Sequence, residues 1–232
     1  ERFRRRYRRF KSSKFVTLPN GYDPADFPTE RTAQESGVFR MLHAGSLYSA
    51  RSPQVVLDAF RRFVRETPGS AGRARLEFAG RPGSYVSEFD RPADGGAIRY
   101  LGMLSHSQAL AEMASVDVNL IILPDVPGGE MDSTAKMYEC IGSGRAILAA
   151  VPLNGAAAEQ LRKYDGVSIC APGDVEGITR AIGELYRLWL AGDLKVTRPD
   201  EQLAPLTRQR QAADLATMLT RIARRRSGVL PK

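Results

Sequence analysis

The strongest chemical signal in this sequence is the segment 126–139 (VPGGEMDSTAKMYE). A Pro-Gly-Gly loop leads to Ser133 and Thr134, and Lys136 precedes Glu139 by one helical turn. Amides in the first turn of a helix and a nearby lysine bind phosphate, and a carboxylate on the same face accepts hydrogen bonds from two vicinal hydroxyls. This spacing predicts a nucleoside-diphosphate site. The alternative is a surface ion pair worth about 0.2–0.5 kcal/mol.

A second candidate site follows the apolar run that ends at residue 43. The segment 43–53 (HAGSLYSARSP) contains Gly45, which lets the backbone approach a ligand, and Ser46, which offers a hydroxyl and an amide. Arg51 arrives just before a helix start. A small residue, amides and a guanidinium together favour an anion site. An ordinary strand-to-helix turn with a surface arginine explains the same residues.

These two segments belong to an alternation of short apolar runs and helical patterns. We predict strands at 39–43, 75–79, 98–101, 118–123, 146–151 and 167–170, with helices opened by Ser52-Pro53, by Ser105, by Ser133 or Asp132, and by Asp174. Several of the runs are apolar throughout, as in strands that are covered on both faces. The alternation predicts an α/β fold with a Rossmann-like parallel sheet and helices on both faces. Ligands of such sheets bind beyond the carboxyl ends of the strands.

The ends of the chain are less regular. We predict a short strand at 15–18, a terminal helix at 207–226, and a basic amphipathic helix near the N-terminus, where Phe3, Tyr7 and Phe10 recur at helical spacing. The predicted domain organisation has three parts. These are a basic segment at 1–14, remnant of an N-terminal domain or linker, a Rossmann-like domain at 15–193 that holds both candidate sites, and a connector with a C-terminal helix at 194–232.

The formal charge of +8 is concentrated at the two ends. Residues 1–14 have a net charge of +7, residues 221–232 have +5, and the 206 residues between them have −4. Because a nucleic-acid-binding domain carries its positive charge on the folded body, the composition argues against a nucleic-acid partner. Peripheral contact of the basic ends with an anionic membrane stays open. No apolar run approaches the ~20 residues of a membrane span.

Other patterns exclude common chemistries. The chain has no GxGxxG after its first strand and no GxxxxGK[ST], which disfavours a dehydrogenase or a P-loop enzyme. Cys140 and Cys170 have neither metal-ligand spacing nor a disulfide framework, which fits a reducing cytoplasm. No DxD motif is present, so no metal is expected. The chain begins at Glu1 without an initiator methionine, as a fragment would.

Six segments resemble retaining glycosyltransferases of the GT-B fold. They are LPNGYDPADF (18–27), HAGSLYSARSP (43–53), LEFAG (76–80), IRYLGMLSHSQALAEMASVDVNLIIL (98–123), STAKMYECIGSGRAILA (133–149) and APGDVEGITRAI (171–182). In order and spacing they are similar to the C-terminal, nucleotide-sugar-binding half of the "group 1", family 4 enzymes. The resemblance implies transfer of a hexose-type sugar from a UDP- or GDP-sugar to a hydroxyl acceptor, with retention and without a metal.

The resemblance also implies roles for single residues. Gly45 and Ser46 match the turn that approaches the donor phosphates, and Arg51 matches a basic residue that neutralises the diphosphate. Lys136 matches the lysine of one branch of the family, and Glu139 matches the carboxylate that holds the ribose hydroxyls. The catalytic residues expected on this basis are Arg51 and Lys136. The nucleotide-binding residues expected are Gly45, Ser46, Arg81, Met103, Leu104, Ser133, Thr134 and Glu139, with the loops at 80–81 and 102–104 around the nucleobase.

The sequence departs from that family in two respects. Relatives carry a first glutamate that contacts the sugar, but Met131 stands near that position, between Glu130 and Asp132. The acceptor-binding N-terminal half is also absent, and His43 and His106 are the only histidines. His43 is expected to be structural and His106 to lie on the surface. The chain is therefore expected to bind donor and to turn over little or no substrate alone, its cellular place being the cytoplasm or the inner face of the membrane.

Two alternatives stay open from sequence. The first is a GT-B-fold epimerase acting on a UDP-sugar, which would use the same kind of sheet with other carboxylates and histidines. The second is a non-catalytic Rossmann-like module that binds polyanions through its basic ends.

Overall fold

Six parallel strands form one sheet in the computed structural model, which describes residues 2–28, 37–48, 50–89 and 91–226. The strands are β1 (Phe39–Ala44), β2 (Ala74–Ala79), β3 (Ile98–Tyr100), β4 (Val118–Ile122), β5 (Ala146–Ala150) and β6 (Val167–Cys170). Every predicted strand from residue 39 onward is present. The sequence-based fold class, a Rossmann-like α/β sheet, is confirmed.

The strand order is β3-β2-β1-β4-β5-β6. Met41 of β1 pairs with Leu76 of β2 on one side and with Val118 of β4 on the other. After β3 the chain therefore crosses back to lie beside β1, and the strand order reverses between β1 and β4. The loops that follow these two strands border the crevice in which such sheets bind ligands.

Eight helices surround the sheet within the described residues. They are α1 (Arg2–Arg6), α2 (Gln54–Glu66), α3 (His106–Ser115), α4 (Ala135–Gly142), α5 (Ala156–Leu161), α6 (Val175–Leu190), α7 (Asp200–Leu203) and α8 (Arg208–Arg226). Ser105 caps α3 with a reciprocal capping box, and the Asp174 carboxylate caps α6 by accepting from the Gly177 amide. Helix α5, whose first turn is mostly alanine, was not predicted.

The helices cover both faces of the sheet. Phe60 and Phe63 of α2 pack with Ile178 and Ile182 of α6 in the core on one face. A second core contains residues of α3, α4 and α5 on the other face. All five residues of β4 and of β5 are buried, because these central strands are covered on both sides.

The two predictions for the N-terminal segment had different outcomes. Residues 15–18 do not form a strand, and Val16 and Leu18 are exposed, because no neighbouring strand offers them hydrogen bonds or an apolar face. Helix α1 ends at Arg6, and Tyr7 and Phe10 are exposed. The predicted basic helix is therefore present only over five residues, and after it the Tyr7 ring stacks on the Phe15 ring, with 6.5 Å between the ring centres.

The segment after α6 is tied to the domain by a buried arginine. Arg198 donates to the carbonyls of Ile141, at 2.9 Å, of Arg145, at 3.0 Å, and of Asp165, at 3.1 Å. The Ile141 carbonyl belongs to the last turn of α4, where a positive charge is favourable. Residues 227–232 of the predicted C-terminal part lie outside the described residues, and no described helix is long and apolar enough to cross a membrane.

A polar network occupies the amino edge of the sheet. The Arg40 guanidinium donates to Glu77 (2.7 Å), to Glu112 (2.8 Å) and to the Ser115 hydroxyl (3.3 Å). Its backbone amide donates to the Asp117 carboxylate at 2.8 Å. The Glu77 side chain is only 3% exposed, so its negative charge depends mainly on this arginine, with Arg75 3.9 Å from its other oxygen.

Candidate functional site

The loops after β1, β2 and β3 are joined by backbone hydrogen bonds at the carboxyl edge of the sheet. The Gly45 amide donates to the Ala79 carbonyl at 2.8 Å, and the Leu47 amide donates to the Arg81 carbonyl at 2.8 Å. The Gly80 amide donates to the Gly102 carbonyl at 2.9 Å. We predicted from the sequence that these loops surround one ligand, and the fold does bring them together. The Gly45 amide is engaged in this pairing, however, so it is not free to bind a phosphate.

The contact between the first two loops requires a glycine at position 80. Gly80 has a φ of +112°, and a Cβ there would lie 2.6 Å from the Gly45 carbonyl oxygen. A positive φ is costly for other residues, and the close approach excludes a side chain as well. Gly80 therefore determines how closely the β1 and β2 loops approach each other.

His43 lies beneath the Gly45 turn and is 5% exposed. Its Nδ1 donates to the Leu120 carbonyl of β4 at 3.0 Å, which leaves Nε2 as an unprotonated acceptor. Burial, with the nearby charges of Arg51 and Lys136, lowers the pKa of His43 to about 4. Nε2 is buried and has no hydrogen-bond partner, and a Cβ on Gly45 would lie 3.1 Å from it.

Arg51 follows in the same loop. Its guanidinium lies 5.1 Å from the centre of the Tyr48 ring, a cation–π contact that orients the side chain. The Nε atom is buried and has no hydrogen-bond partner. Since Arg51 and Lys136 both lower the pKa of His43, two cations from separate elements are close to one buried imidazole.

Helix α4 begins two residues later than the earliest predicted start. Its N-cap is Thr134, whose side chain makes no capping hydrogen bond, so Ser133 and Asp132 are not the cap. The Ser133 hydroxyl lies 3.2 Å from the Tyr138 hydroxyl. The backbone carbonyl of Ser133 accepts from the side-chain amide of Asn20 at 3.2 Å. The Met137 amide donates to the Thr134 carbonyl at 3.2 Å, but the amides of Ala135 and Lys136 have no capping side chain and are free for a ligand.

Lys136 and Glu139 project from one face of α4. The Lys136 ammonium is 3.3 Å from Glu139 Oε2, as their spacing predicts. The other oxygen, Oε1, lies 3.1 Å from His106 Nε2, at the start of α3. The Glu139 side chain is only 6% exposed, so a carboxylate is held inside the domain. The prediction that His106 lies on the surface is confirmed, since its side chain is 50% exposed. Its contact with Glu139 was not predicted, and only its position directly after the β3 loop hinted at it.

Unpartnered polar atoms concentrate at this edge. Among the described residues, three of the five buried side-chain atoms without a hydrogen-bond partner are His43 Nε2, Arg51 Nε and Glu139 Oε2. Buried polar groups are nearly always hydrogen-bonded, and unsatisfied ones are costly. An acceptor, a cationic donor and an anionic acceptor without partners are the groups that a polar ligand would satisfy.

The other predicted site residues are less enclosed. The side chains of Ser46 and Arg81 are exposed, Met103 is 64% exposed, and Leu104 is half-buried against the core beside α3 and α4. Within the described ranges, no hydrogen bond joins these side chains to Lys136 or Glu139. The described residues also contain no group of three or more His, Cys, Asp or Glu side chains that could hold a metal ion.

Known proteins resemble this chain in structure only. No family model matches the sequence, and no curated protein matches it. A UDP-forming α,α-trehalose-phosphate synthase from Burkholderia xenovorans aligns with a TM-score of 0.63 and 18% identity over 88% of this chain and 51% of its own length. The enzyme from Burkholderia vietnamiensis aligns with a TM-score of 0.62 and 16% identity over 88% of this chain and 53% of its own.

A third similar structure is the Burkholderia xenovorans synthase in complex with glucose-6-phosphate. Its TM-score is 0.58 and its identity is 14%, over 81% of this chain and 44% of the synthase. The chain thus spans about half the length of the synthases it matches. At these identities the similarity shows the fold, a Rossmann-like half of the GT-B arrangement found in those enzymes. The resemblance to family 4 and to the C-terminal half stays a prediction.

Proposed function

We propose that this chain is the donor-binding half of a glycosyltransferase that binds a nucleotide sugar at the carboxyl edge of its sheet. The complete enzyme transfers the sugar from a UDP- or GDP-sugar to a hydroxyl acceptor, with retention of configuration and without a metal. The acceptor is bound by a second domain, so this half alone has little or no activity.

The observation that carries the proposal is the Glu139 carboxylate. It is buried beside the point at which the strand order reverses, it keeps one oxygen without a hydrogen bond, and Lys136 lies 3.3 Å away. A buried carboxylate without full hydrogen bonding is costly, so its presence in a ligand crevice indicates a ligand. Two vicinal ribose hydroxyls supply the missing donors, and a diphosphate supplies the anion for Lys136.

The cations give the leaving group its stabilisation. When the bond between the sugar and the diphosphate breaks, negative charge accumulates on the departing phosphate. Arg51, Lys136 and the first amides of α4 act on that charge, and they are positioned before the reaction begins. His43 is neutral at physiological pH, because its pKa is about 4, and so it adds no third positive charge beneath the phosphates.

The similar structures narrow the donor to be tested first. All three are UDP-forming synthases, and one of the three is complexed with glucose-6-phosphate. UDP is therefore the first nucleotide to test, and GDP follows because the sequence favours neither base. A phosphorylated sugar is one acceptor to test when the second domain is supplied.

Isothermal titration calorimetry tests the proposal directly. UDP, GDP and a short DNA duplex are titrated into the chain at two salt concentrations. We expect saturable binding of one nucleoside diphosphate and no binding of the duplex at the higher salt. A folded chain that binds neither UDP nor GDP contradicts the proposal, and duplex binding without nucleotide binding supports the polyanion-binding alternative.

Site variants test the residue assignment. Lys136→Ala and Glu139→Ala should each weaken binding of the preferred nucleotide at least about tenfold, since each removes a charged hydrogen-bonding group. Glu184 and Arg187 form the matched control, because they are also three residues apart on a helix but are exposed. Their alanine variants should bind like the wild type. Unchanged affinity in both site variants would refute the assignment.

A further inference from the structure

The Glu139 carboxylate has two neighbours that hold it differently. His106 lies at Oε1, where its Nε2 is 3.1 Å away and within hydrogen-bonding geometry. Lys136 lies at Oε2, 3.3 Å away, and yet Oε2 has no hydrogen-bond partner. The imidazole is therefore the hydrogen-bonded neighbour, and the ammonium is close but misaligned.

The two neighbours also differ in how firmly they are fixed. His106 is the first residue of α3, directly after a capping box in which the Ser105 hydroxyl accepts from the Gln108 amide at 3.2 Å and the Ser105 amide donates to the Gln108 side chain at 2.9 Å. Lys136 reaches Glu139 through a flexible four-carbon chain and makes no hydrogen bond to it. Exposure does not separate the two neighbours, since the His106 side chain is 50% exposed and that of Lys136 is 38% exposed. Lys136 is thus the neighbour that can leave.

A bound diphosphate would attract the Lys136 ammonium away from Glu139. In the proposed function the ammonium moves to the phosphate, and without another donor the buried carboxylate would lose its compensation. Removing one partner of a buried charge is strongly unfavourable. The hydrogen bond from His106 persists because it comes from a different helix, α3, whose start the phosphate does not need to displace.

We propose that His106 is a positioning residue for ribonucleotide recognition. It holds Oε1 of Glu139 while Lys136 moves from Oε2 to the phosphate, and the vicinal hydroxyls of the ribose take the place of Lys136 at Oε2. The carboxylate accepts in this contact, so Nε2 carries the proton and Nδ1 is an acceptor in neutral His106. The inference rests on the proposed function and deepens it, since it makes discrimination between ribose and deoxyribose depend on His106.

The test compares three ligands on three proteins. UDP, 2′-deoxy-UDP and inorganic pyrophosphate are titrated calorimetrically into the wild type, His106→Phe and His106→Gln. Phe keeps a ring but has no donor, whereas the Gln amide can reach Glu139. Ser107→Ala, in the same helical turn, is the control. Thermal unfolding of each variant checks the fold, and His106→Asn, whose donor is too short to reach Oε1, replaces the Phe variant if that variant does not fold.

We expect His106→Phe to bind UDP at least about tenfold more weakly, the loss of one hydrogen bond to a charged group. Its preference for UDP over 2′-deoxy-UDP should largely disappear, and its affinity for pyrophosphate should fall as well, because pyrophosphate also draws Lys136 away from Glu139. His106→Gln should restore most of the UDP affinity, and Ser107→Ala should match the wild type.

Three results would overturn the inference while the proposed function stands. They are wild-type UDP affinity in His106→Phe, an unchanged preference for UDP over 2′-deoxy-UDP in that variant, and no recovery in His106→Gln. If the wild type binds no nucleoside diphosphate, the proposed function itself fails, and this inference fails with it.

Discussion

Arg40 and His43 stand three residues apart on the same strand, yet their surroundings are opposite in character. Arg40, at the amino edge, donates to two carboxylates and a hydroxyl. His43, near the carboxyl edge, has one nitrogen bonded and the other buried without a partner, and Arg51 and Glu139 also carry buried unpartnered atoms there. At the amino edge the charged groups are paired and stabilise the fold. At the carboxyl edge buried polar atoms have no hydrogen-bond partner, as expected of the proposed ligand site.

The first prediction, with the largest effect, concerns the amino edge. Arg40→Leu should lower the free energy of unfolding by about 3–5 kcal/mol, because it leaves the buried Glu77 carboxylate without its main partner. Urea denaturation measures this loss. Nucleotide affinity should not change, since the network lies at the opposite edge. Arg187→Leu, in an exposed pair, is the control and should have no measurable effect. A loss below about 1 kcal/mol for Arg40→Leu would remove the contrast between the two edges.

The second prediction uses the pH dependence of stability. The unfolded chain protonates His43 near pH 6.5, but the folded chain accepts that proton only near pH 4. The contribution of the buried neutral imidazole to the free energy of unfolding is therefore complete above about pH 6.5. It decreases as the pH falls toward 4, by roughly 3 kcal/mol in total. Urea denaturation between pH 7 and pH 4 should show a wild type that loses about that much more stability than His43→Leu. Parallel pH profiles would mean that His43 is not buried as a neutral imidazole.

The third prediction returns to the carboxyl edge. Arg51→Gln keeps a hydrogen-bond donor and removes the charge, and we expect about 10–100-fold weaker UDP binding. Stability should fall by no more than about 0.5–1 kcal/mol, the value of an exposed cation–π contact such as the one with Tyr48, because the buried Nε of Arg51 has no hydrogen-bond partner to lose. Arg62→Gln on α2, whose arginine pairs with Glu66 at the surface, is the matched control. A large loss of stability together with unchanged affinity would make Arg51 resemble Arg40 and contradict the comparison.

The fourth prediction has the smallest effect and tests which contact positions the loop before α4, at Ser133. The side-chain amide of Asn20 donates to the Ser133 carbonyl at 3.2 Å. The backbone carbonyl of Asn20 accepts from the side chain of Gln211, on α8, at 2.8 Å. Asn20→Asp removes the donated bond and should cost about 1 kcal/mol of nucleotide binding, stability or both. Gln160→Glu on α5 is the control for affinity, because it also removes a donated bond, to the Tyr164 hydroxyl at 3.1 Å, but should leave nucleotide binding unchanged. Wild-type values of both quantities would show that Asn20 does not hold this loop.

Local sequence patterns predicted most of the framework. All six strands of the sheet follow from apolar runs, and the capping residues Ser105 and Asp174 mark helix starts correctly. The patterns failed at 15–18, where an apolar run has no neighbour to pair with, and at the start of α4, where Thr134 rather than Ser133 or Asp132 is the N-cap. Strand formation depends on a partner that local propensity does not describe.

The candidate site divides in the same way. Lys136 and Glu139 could be paired from sequence, because the α-helix fixes residues three apart on one face. The contact between His106 and Glu139 spans 33 positions and joins two helices, so no periodicity reveals it. The engaged amide of Gly45 was equally hidden, since the pairing that occupies it comes from β2.

The sequence by itself determined the alternation of strands and helices, the charged ends around an acidic body, and the pair on α4. The tertiary structure alone decided that β1 lies between β2 and β4, which imidazole contacts the buried carboxylate, and which arginine is satisfied and which is not. The reason is physical: helical and strand periodicities are properties of neighbouring residues, whereas burial and hydrogen-bond satisfaction depend on the packing of segments distant in the chain.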